Sequence, residues 1–218
     1  MKQVIVTGGT GYLGRPLIEK LCAGGIQVTS IVRPQSAAKL PACSGVIVGN
    51  VLDSSTYCDS VPAGSTFVHL VGVPHPAPWK AEQFRSIDLA SLEQSVAAAK
   101  RAGVAHFVFV SVAHPSPVMK AFIEVRKICE QTIRDSGLPA TILRPWYILG
   151  PGHYWPYLLL PAYKALEAIP STRERAIRLR LVTRAQMVNA LAAAVTSPGS
   201  GVRIIETAGI RAARSTRG

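Results

Sequence analysis

Short, continuously apolar runs alternate along this chain with longer stretches whose apolar positions recur every three or four residues. The runs over residues 4–6, 26–32, 44–50, 65–72, 105–111 and 139–145 read as strands. The run over 105–111 is continuous and apolar, as expected of a strand covered on both faces. Helices are predicted over 16–21, 82–102 and 122–136; in the second, Phe84, Ile87, Leu92, Val96 and Ala99 fall near one face. Each predicted helix meets glycine at its end: Gly24-Gly25, Gly103 and Gly137. The last quarter is less regular, with a short strand predicted over 179–182, a helix over 185–195 and a final strand over 202–206. Strand–helix alternation of this kind predicts an α/β fold built on a doubly wound parallel sheet, with ligands beyond the C-terminal ends of the strands. No repeat or linker divides the 218 residues, so one domain is expected.

The first strand runs into Thr7-Gly8-Gly9-Thr10-Gly11-Tyr12-Leu13-Gly14 and then into a helix. Gly8 permits a sharp turn off the strand, Gly11 a close approach of backbone to a pyrophosphate, and Gly14 close packing of the helix. Amides of the first helical turn then face the phosphates. Strand, spacing and helix together indicate a dinucleotide cradle of the Rossmann type, lined by Gly8, Thr10, Gly11, Tyr12, Leu13 and Gly14. Arg33 follows the second strand, where an acidic residue would select the ribose 2′-hydroxyl of NAD. A guanidinium there pairs with a 2′-phosphate, so NADP (NADPH) is the expected cofactor, with Arg15 as an assistant. Asp53, past the third strand, either bonds the adenine amino group or caps a helix. Leu70, Val71 and Gly72 end the fourth strand where backbone would pass beside the cofactor. The proline-rich stretch 73–79 would form a lip of the cleft, with Trp79 on that lip or in a satellite core.

The net charge of +12 changes the picture only in part. Arg173, Arg175, Arg178, Arg180, Arg184, Arg203, Arg211, Arg214 and Arg217 face only Glu174 and Glu206 in the last quarter. Cofactor phosphates account for some of this charge, and residues 211–218 read as a frayed basic tail. Aromatic interleaving, zinc spacing and a recognition-helix pattern are missing, which argues against nucleic acid. Peripheral contact with an acidic membrane surface stays open; strong salt dependence would reveal it. No apolar run reaches the roughly 18 residues of a membrane span, and the strand begins too early for a signal peptide. Cys22, Cys43, Cys58 and Cys129 are far apart in sequence; Cys22 and Cys129 read as buried thiols, and a reducing cytoplasm is expected. Metal-ligand spacing is lacking.

On the glycine turn, Asp53, Val110-Ser111 and the stretch Arg144-Pro145-Trp146-Tyr147-Ile148-Leu149-Gly150-Pro151-Gly152, the chain resembles the extended and atypical short-chain dehydrogenases/reductases over nearly its whole length. It is similar there to NmrA-like proteins, small biliverdin/flavin reductases and the nucleotide-binding accessory subunit of respiratory complex I. The resemblance implies that Pro145 and Ile148 lie near the nicotinamide. It also implies a Ser…Tyr-x-x-x-Lys set, in which Ser111 matches the serine and Lys127 the lysine that holds the ribose. Ile123 stands where the tyrosine should be, and Phe122 has no hydroxyl, so alcohol dehydrogenation and sugar epimerisation are not expected. Lys120 and Tyr147 lie off the motif.

Two functions remain. One is an NADPH-dependent reductase passing hydride to a small apolar or aromatic acceptor, such as a quinone or flavin, that needs no strong protein acid. Ser111 and Lys127 would assist, and 146–182, rich in Trp and Tyr, would cover the substrate. The other is a non-catalytic NAD(P)-binding redox sensor or assembly protein.

Overall fold

The computed structural model describes residues 3–116, 118–151 and 179–213. Its strands are β1 (Gln3–Thr7), β2 (Gln27–Val32), β3 (Gly45–Val48), β4 (Thr66–His69), β5 (His106–Val110), β6 (Ala140–Arg144), β7 (Ile148–Leu149), β8 (Val182–Thr183) and β9 (Val202–Glu206). The helices are α1 (Gly14–Ala23), α2 (Ala81–Gln83), α3 (Ala90–Ala102), α4 (Lys120–Asp135), α5 (Arg184–Thr196) and α6 (Thr207–Ala212). A π-helical turn, Phe84–Leu89, joins α2 to α3.

Seven strands form one parallel sheet in the order β3-β2-β1-β4-β5-β6-β9. The two-residue period of the strands divides their side chains between two layers. Ile5, Phe67, Phe107, Phe109 and Ile142 pack with Leu92, Val96, Cys129 and Ile133 of α3 and α4. Val4, Val6, Val28, Val68 and Val108 pack with Leu17, Ile18 and Leu21 of α1 and with Met187 and Leu191 of α5. The expected doubly wound Rossmann sheet is therefore present. Its order reverses between β1 and β4, and a crevice at such a switch point is where ligands bind.

Several local expectations need correction. Of the expected frayed tail 211–218, Arg211 and Ala212 instead end α6, which buries Ile210 completely against the α1/α5 layer, and Arg211 donates to the carbonyl of Leu181; residues 214–218 lie outside the described residues. A six-residue helix is too short for its periodicity to stand out in sequence. The strand expected at 179–182 is Val182–Thr183, paired with Ile148–Leu149. Thr183 caps α5 through a reciprocal box with Gln186. Trp79 is 83% exposed, which places it outside any satellite core. Cys129 is buried as expected, and that burial pushes its thiol up to about 12, whereas Cys22 lies only half-buried beside Cys43 and donates to its carbonyl at 3.5 Å.

His69 ties the C-terminal ends of β1 and β4 together. Its Nδ1 lies 3.1 Å from Thr7 Oγ1 and 3.0 Å from Ser95 Oγ. Burial, then the nearby Arg126 charge, push its pKa from 6.5 down to about 3. The unfolded chain therefore binds a proton that the folded chain refuses between pH 6.5 and about 3, so stability is lost as pH falls through that window. Urea midpoints at pH 7 and pH 5 should differ in the wild type, and His69→Gln should reduce the difference.

Candidate functional site

Gly8, with φ +75°, turns the chain off β1. A Cβ there would lie 2.8 Å from the carbonyl carbon and oxygen of Leu70. Only glycine therefore lets the turn close against Leu70–Val71, the chain leaving β4. A Cβ on Gly14 would overlap the carbonyl of Gly8. That carbonyl also accepts from the Gly11 amide at 3.0 Å, which folds the turn back on itself. Thr10 and Gly11 are exposed at its tip, Tyr12 and Leu13 are half-buried, and α1 begins at Gly14, with the Arg15 amide donating to the Gly11 carbonyl at 3.2 Å and the Leu17 amide to the Leu13 carbonyl at 3.1 Å. The six residues expected to cradle a pyrophosphate thus stand together at the switch point. Gly14→Ala should force the turn open and weaken NAD(P)H binding by at least about tenfold, read by cofactor fluorescence.

Tyr12 has a second connection that sequence reasoning missed. The Arg184 guanidinium lies 5.2 Å above its ring, and its hydroxyl fills the space a Cβ on Gly150 would need. The turn is thereby locked to α5 and to the chain after β7. No sequence signal marks Arg184, because this pairing is made only by the fold.

Arg33 is exposed directly after β2, ahead of the 3₁₀ turn Pro34–Lys39. Arg15 is engaged elsewhere, with Glu19 at 3.2 Å and the Lys39 carbonyl at 3.0 Å. Asp53 is a cap: it accepts from the Ser55 amide at 3.1 Å and from the Ser55 hydroxyl at 2.6 Å. Gly72 stands beside a buried ion pair. A Cβ there would lie 2.8 Å from Arg126 Nη2 and 3.1 Å from Asp88 Oδ1, so its lack of a side chain makes room for a buried ion pair.

Ser111 and Lys127 stand at the ligand edge beside a cluster absent from the sequence reading. Ser111 follows β5 and is buried; its hydroxyl donates to Glu130 Oε1 at 2.6 Å. The hydroxyl proton of Ser111 thus points to a carboxylate inside the protein. Glu130 also accepts from Arg144 at 2.9 and 2.5 Å and from Arg134 at 3.1 Å, and His114 Nε2 lies 3.5 Å from it. Burial pushes the Glu130 carboxyl up, but the bonds from Arg144 and Ser111 outweigh it and hold the carboxyl below its usual range. Arg144 reaches Glu206 at 2.8 Å as well. Lys127 is exposed on α4, and Ile123, at the tyrosine position, is 5% exposed and apolar. Pro145 is buried and accepts from Ala113 at 2.8 Å; Ile148 lies in β7, half-buried against the α1/α5 layer. Of the aromatic stretch, Tyr154, Trp155, Tyr157 and Tyr163 lie outside the described residues, as do Gly152, Arg173, Arg175, Arg178, Arg214 and Arg217. Among the described residues no group of His, Cys, Asp and Glu could hold a metal, and no helix is long and apolar enough to cross a membrane.

A family model described as NAD(P)H-binding matches residues 8–154. Among curated relatives, the chain is 26% identical to a 4-hydroxy-2-methyl-3-oxo-4-farnesyl-3,4-dihydroquinoline-1-oxide ketoreductase of Stigmatella aurantiaca, covering 68% of this chain and 51% of that protein. It is 26% identical to the photosystem II assembly factor Ycf39 of Synechocystis, covering 65% of this chain and 44% of that one. The chain thus spans about half the length of these relatives. Among solved structures, a short-chain dehydrogenase/reductase superfamily protein of Agrobacterium tumefaciens with bound NAD superposes with a TM-score of 0.67 at 17% identity, covering 94% of this chain and 77% of that one.

Proposed function

The chain belongs to the NAD(P)H-binding family, and on that premise we propose that it is an NADPH-dependent reductase that passes hydride to a flat, apolar acceptor such as a quinone or flavin. The observation that carries the proposal is the glycine turn at the β1/β4 switch point, closed against Leu70–Val71 with its tip exposed. Thr10 and Gly11 face the pyrophosphate, Tyr12 and Leu13 line the turn, and Lys127 holds the ribose. Arg33 pairs with the 2′-phosphate, and the exposed side of Asp53 reaches the adenine. Pro145 and Ile148 border the nicotinamide, and the aromatic stretch within 146–182 covers the acceptor. The cofactor supplies the hydride; the protein's task is to place the two rings against each other and keep water out. Reductases among the relatives support this class of reaction.

A second reading, a non-catalytic NAD(P)-binding assembly or sensor protein, is favoured by two observations. Ile123 stands in place of the tyrosine, and the Ser111 proton is committed to Glu130. A relative named as an assembly factor points the same way. Loss of NADPH absorbance that depends on protein and on added quinone or flavin establishes the reductase. Saturable binding without oxidation selects the second reading. Arg33→Ala should weaken NADPH binding by about tenfold and leave NADH binding nearly unchanged, since one charge-assisted contact is lost; equal loss for both would refute the pairing with the 2′-phosphate.

A further inference from the structure

The geometry points to His114 as the proton donor of this reduction, in the role left vacant by Ile123. The inference rests on the reductase reading above. Hydride arriving at a quinone or other conjugated carbonyl leaves negative charge on oxygen, and a positioned acid speeds the step. Ser111 cannot serve, because its O–H is held by Glu130. Around that carboxylate stand Arg134, Arg144 and His114, and the Lys127 charge acts on His114. Guanidinium groups do not give up protons near neutral pH, and an exposed ammonium is a weak acid there. Glu130 itself is ionised in its cage. His114 is the one side chain of this cluster suited to exchange a proton under physiological conditions.

Its setting is also right for the task. It lies on the loop beyond β5, at the edge of the sheet where ligands bind, three residues after Ser111. The side chain is 15% exposed. Nε2 lies 3.5 Å from Glu130 Oε1, within ion-pair distance of the carboxylate when the ring is protonated. That leaves Nδ1 as the nitrogen that carries the exchangeable proton. A carboxylate that orients one nitrogen while the other works is the logic of carboxylate–imidazole pairs generally. Burial, followed by the Arg144 charge, lowers the pKa of His114 from 6.5; Glu130 opposes this and Lys127 adds to it.

The step balances. The nicotinamide gives a hydride, with its electron pair, to the acceptor and becomes NADP⁺. The acceptor oxygen takes the Nδ1 proton of the His114 imidazolium. The neutral imidazole then regains a proton from water.

The test uses purified protein, NADPH and duroquinone, whose methyl groups block addition of the cysteine thiols, with kcat followed from about pH 5 to 9. In the wild type, kcat should fall about tenfold per pH unit above the His114 pKa. His114→Gln keeps a donor for Glu130 but cannot exchange a proton. It should lower kcat by about 100-fold and flatten that limb, with NADPH affinity unchanged. His114→Ala should regain rate with added imidazole. Wild-type kcat and an intact pH limb in His114→Gln would overturn the inference while leaving the reductase standing. A wild type that binds NADPH and never oxidises it would remove both together.

Discussion

Replacing Glu130 with Ala should destabilise the protein by about 3–5 kcal/mol, because it leaves Arg144 without its buried counter-charge. For a domain of this size that corresponds to about 6–20 °C in Tm. Glu130 is 1% exposed and takes bonds from Ser111, Arg134 and two nitrogens of Arg144. Arg144 keeps its contact with Glu206, which is half in solvent, so the loss should fall toward the lower end of the range. Replacing both partners, Glu130→Leu with Arg144→Met, should recover much of the stability, since no charge is then stranded. The pH dependence has a definite sign. The folded pKa of Glu130 lies below its ordinary 4.5, so its contribution is fully present above that value and is lost as pH falls through the lower folded one. Thermal melts of wild type and Glu130→Ala should therefore converge at low pH. If the two differ equally at every pH, the carboxylate is not what holds the cluster.

The sheet and the cofactor turn were legible in sequence because both are written locally. A strand buried on both faces must be apolar throughout, and a turn that packs its backbone against Leu70 must carry glycine. The Glu130 cluster was not legible. Glu130 and Arg134 look like an ordinary exposed helical pair at i and i+4, and Arg144 looks like a member of the Arg-Pro segment. Only the parallel pairing of β5 with β6 and of β6 with β9 brings Ser111, Arg144 and Glu206 to one end, where α4 lays Glu130 across them. Gly72 shows the reverse difficulty. A glycine at a strand end beside a cofactor cleft fits a cofactor role by position, yet its immediate neighbours are the side chains of Asp88 and Arg126. Arg33 is of a third kind: its placement after β2 agrees with the sequence reading, and its task is decided only by the cofactor it meets.

That buried pair carries the other large expected effect. Arg126 donates to Asp88 and, at 2.9 Å, to the carbonyl of Val110, and its guanidinium lies 5.4 Å from the Phe109 ring and 4.9 Å from the Phe122 ring. Asp88, 1% exposed within the π-helical turn, also takes the Val73 amide at 3.0 Å. One ion pair thus joins the turn before α3, helix α4, the end of β5 and the chain after β4. Arg126→Met fills the volume but strands the carboxylate, so a loss of about 3–5 kcal/mol in urea unfolding is expected. Burial already pushes the Asp88 carboxyl up, with Arg126 and the Val73 amide pulling against it. Without Arg126 it rises further, and a group whose folded pKa is raised gives more stability below that value. Arg126→Met should therefore gain stability relative to wild type as pH falls, the same direction as Glu130→Ala but for a different reason: here a stranded carboxylate is neutralised, whereas there the wild type loses a carboxylate it depends on. Gly72→Ala tests the pair from its other side. Its added methyl would meet Arg126 Nη2 at 2.8 Å and Asp88 Oδ1 at 3.1 Å in the wild type, and Arg126→Met removes the tighter, polar contact, so the combined change should be less harmful than the sum of the two by about 0.5–3 kcal/mol. Simple additivity would mean that Gly72 is required by something other than the pair.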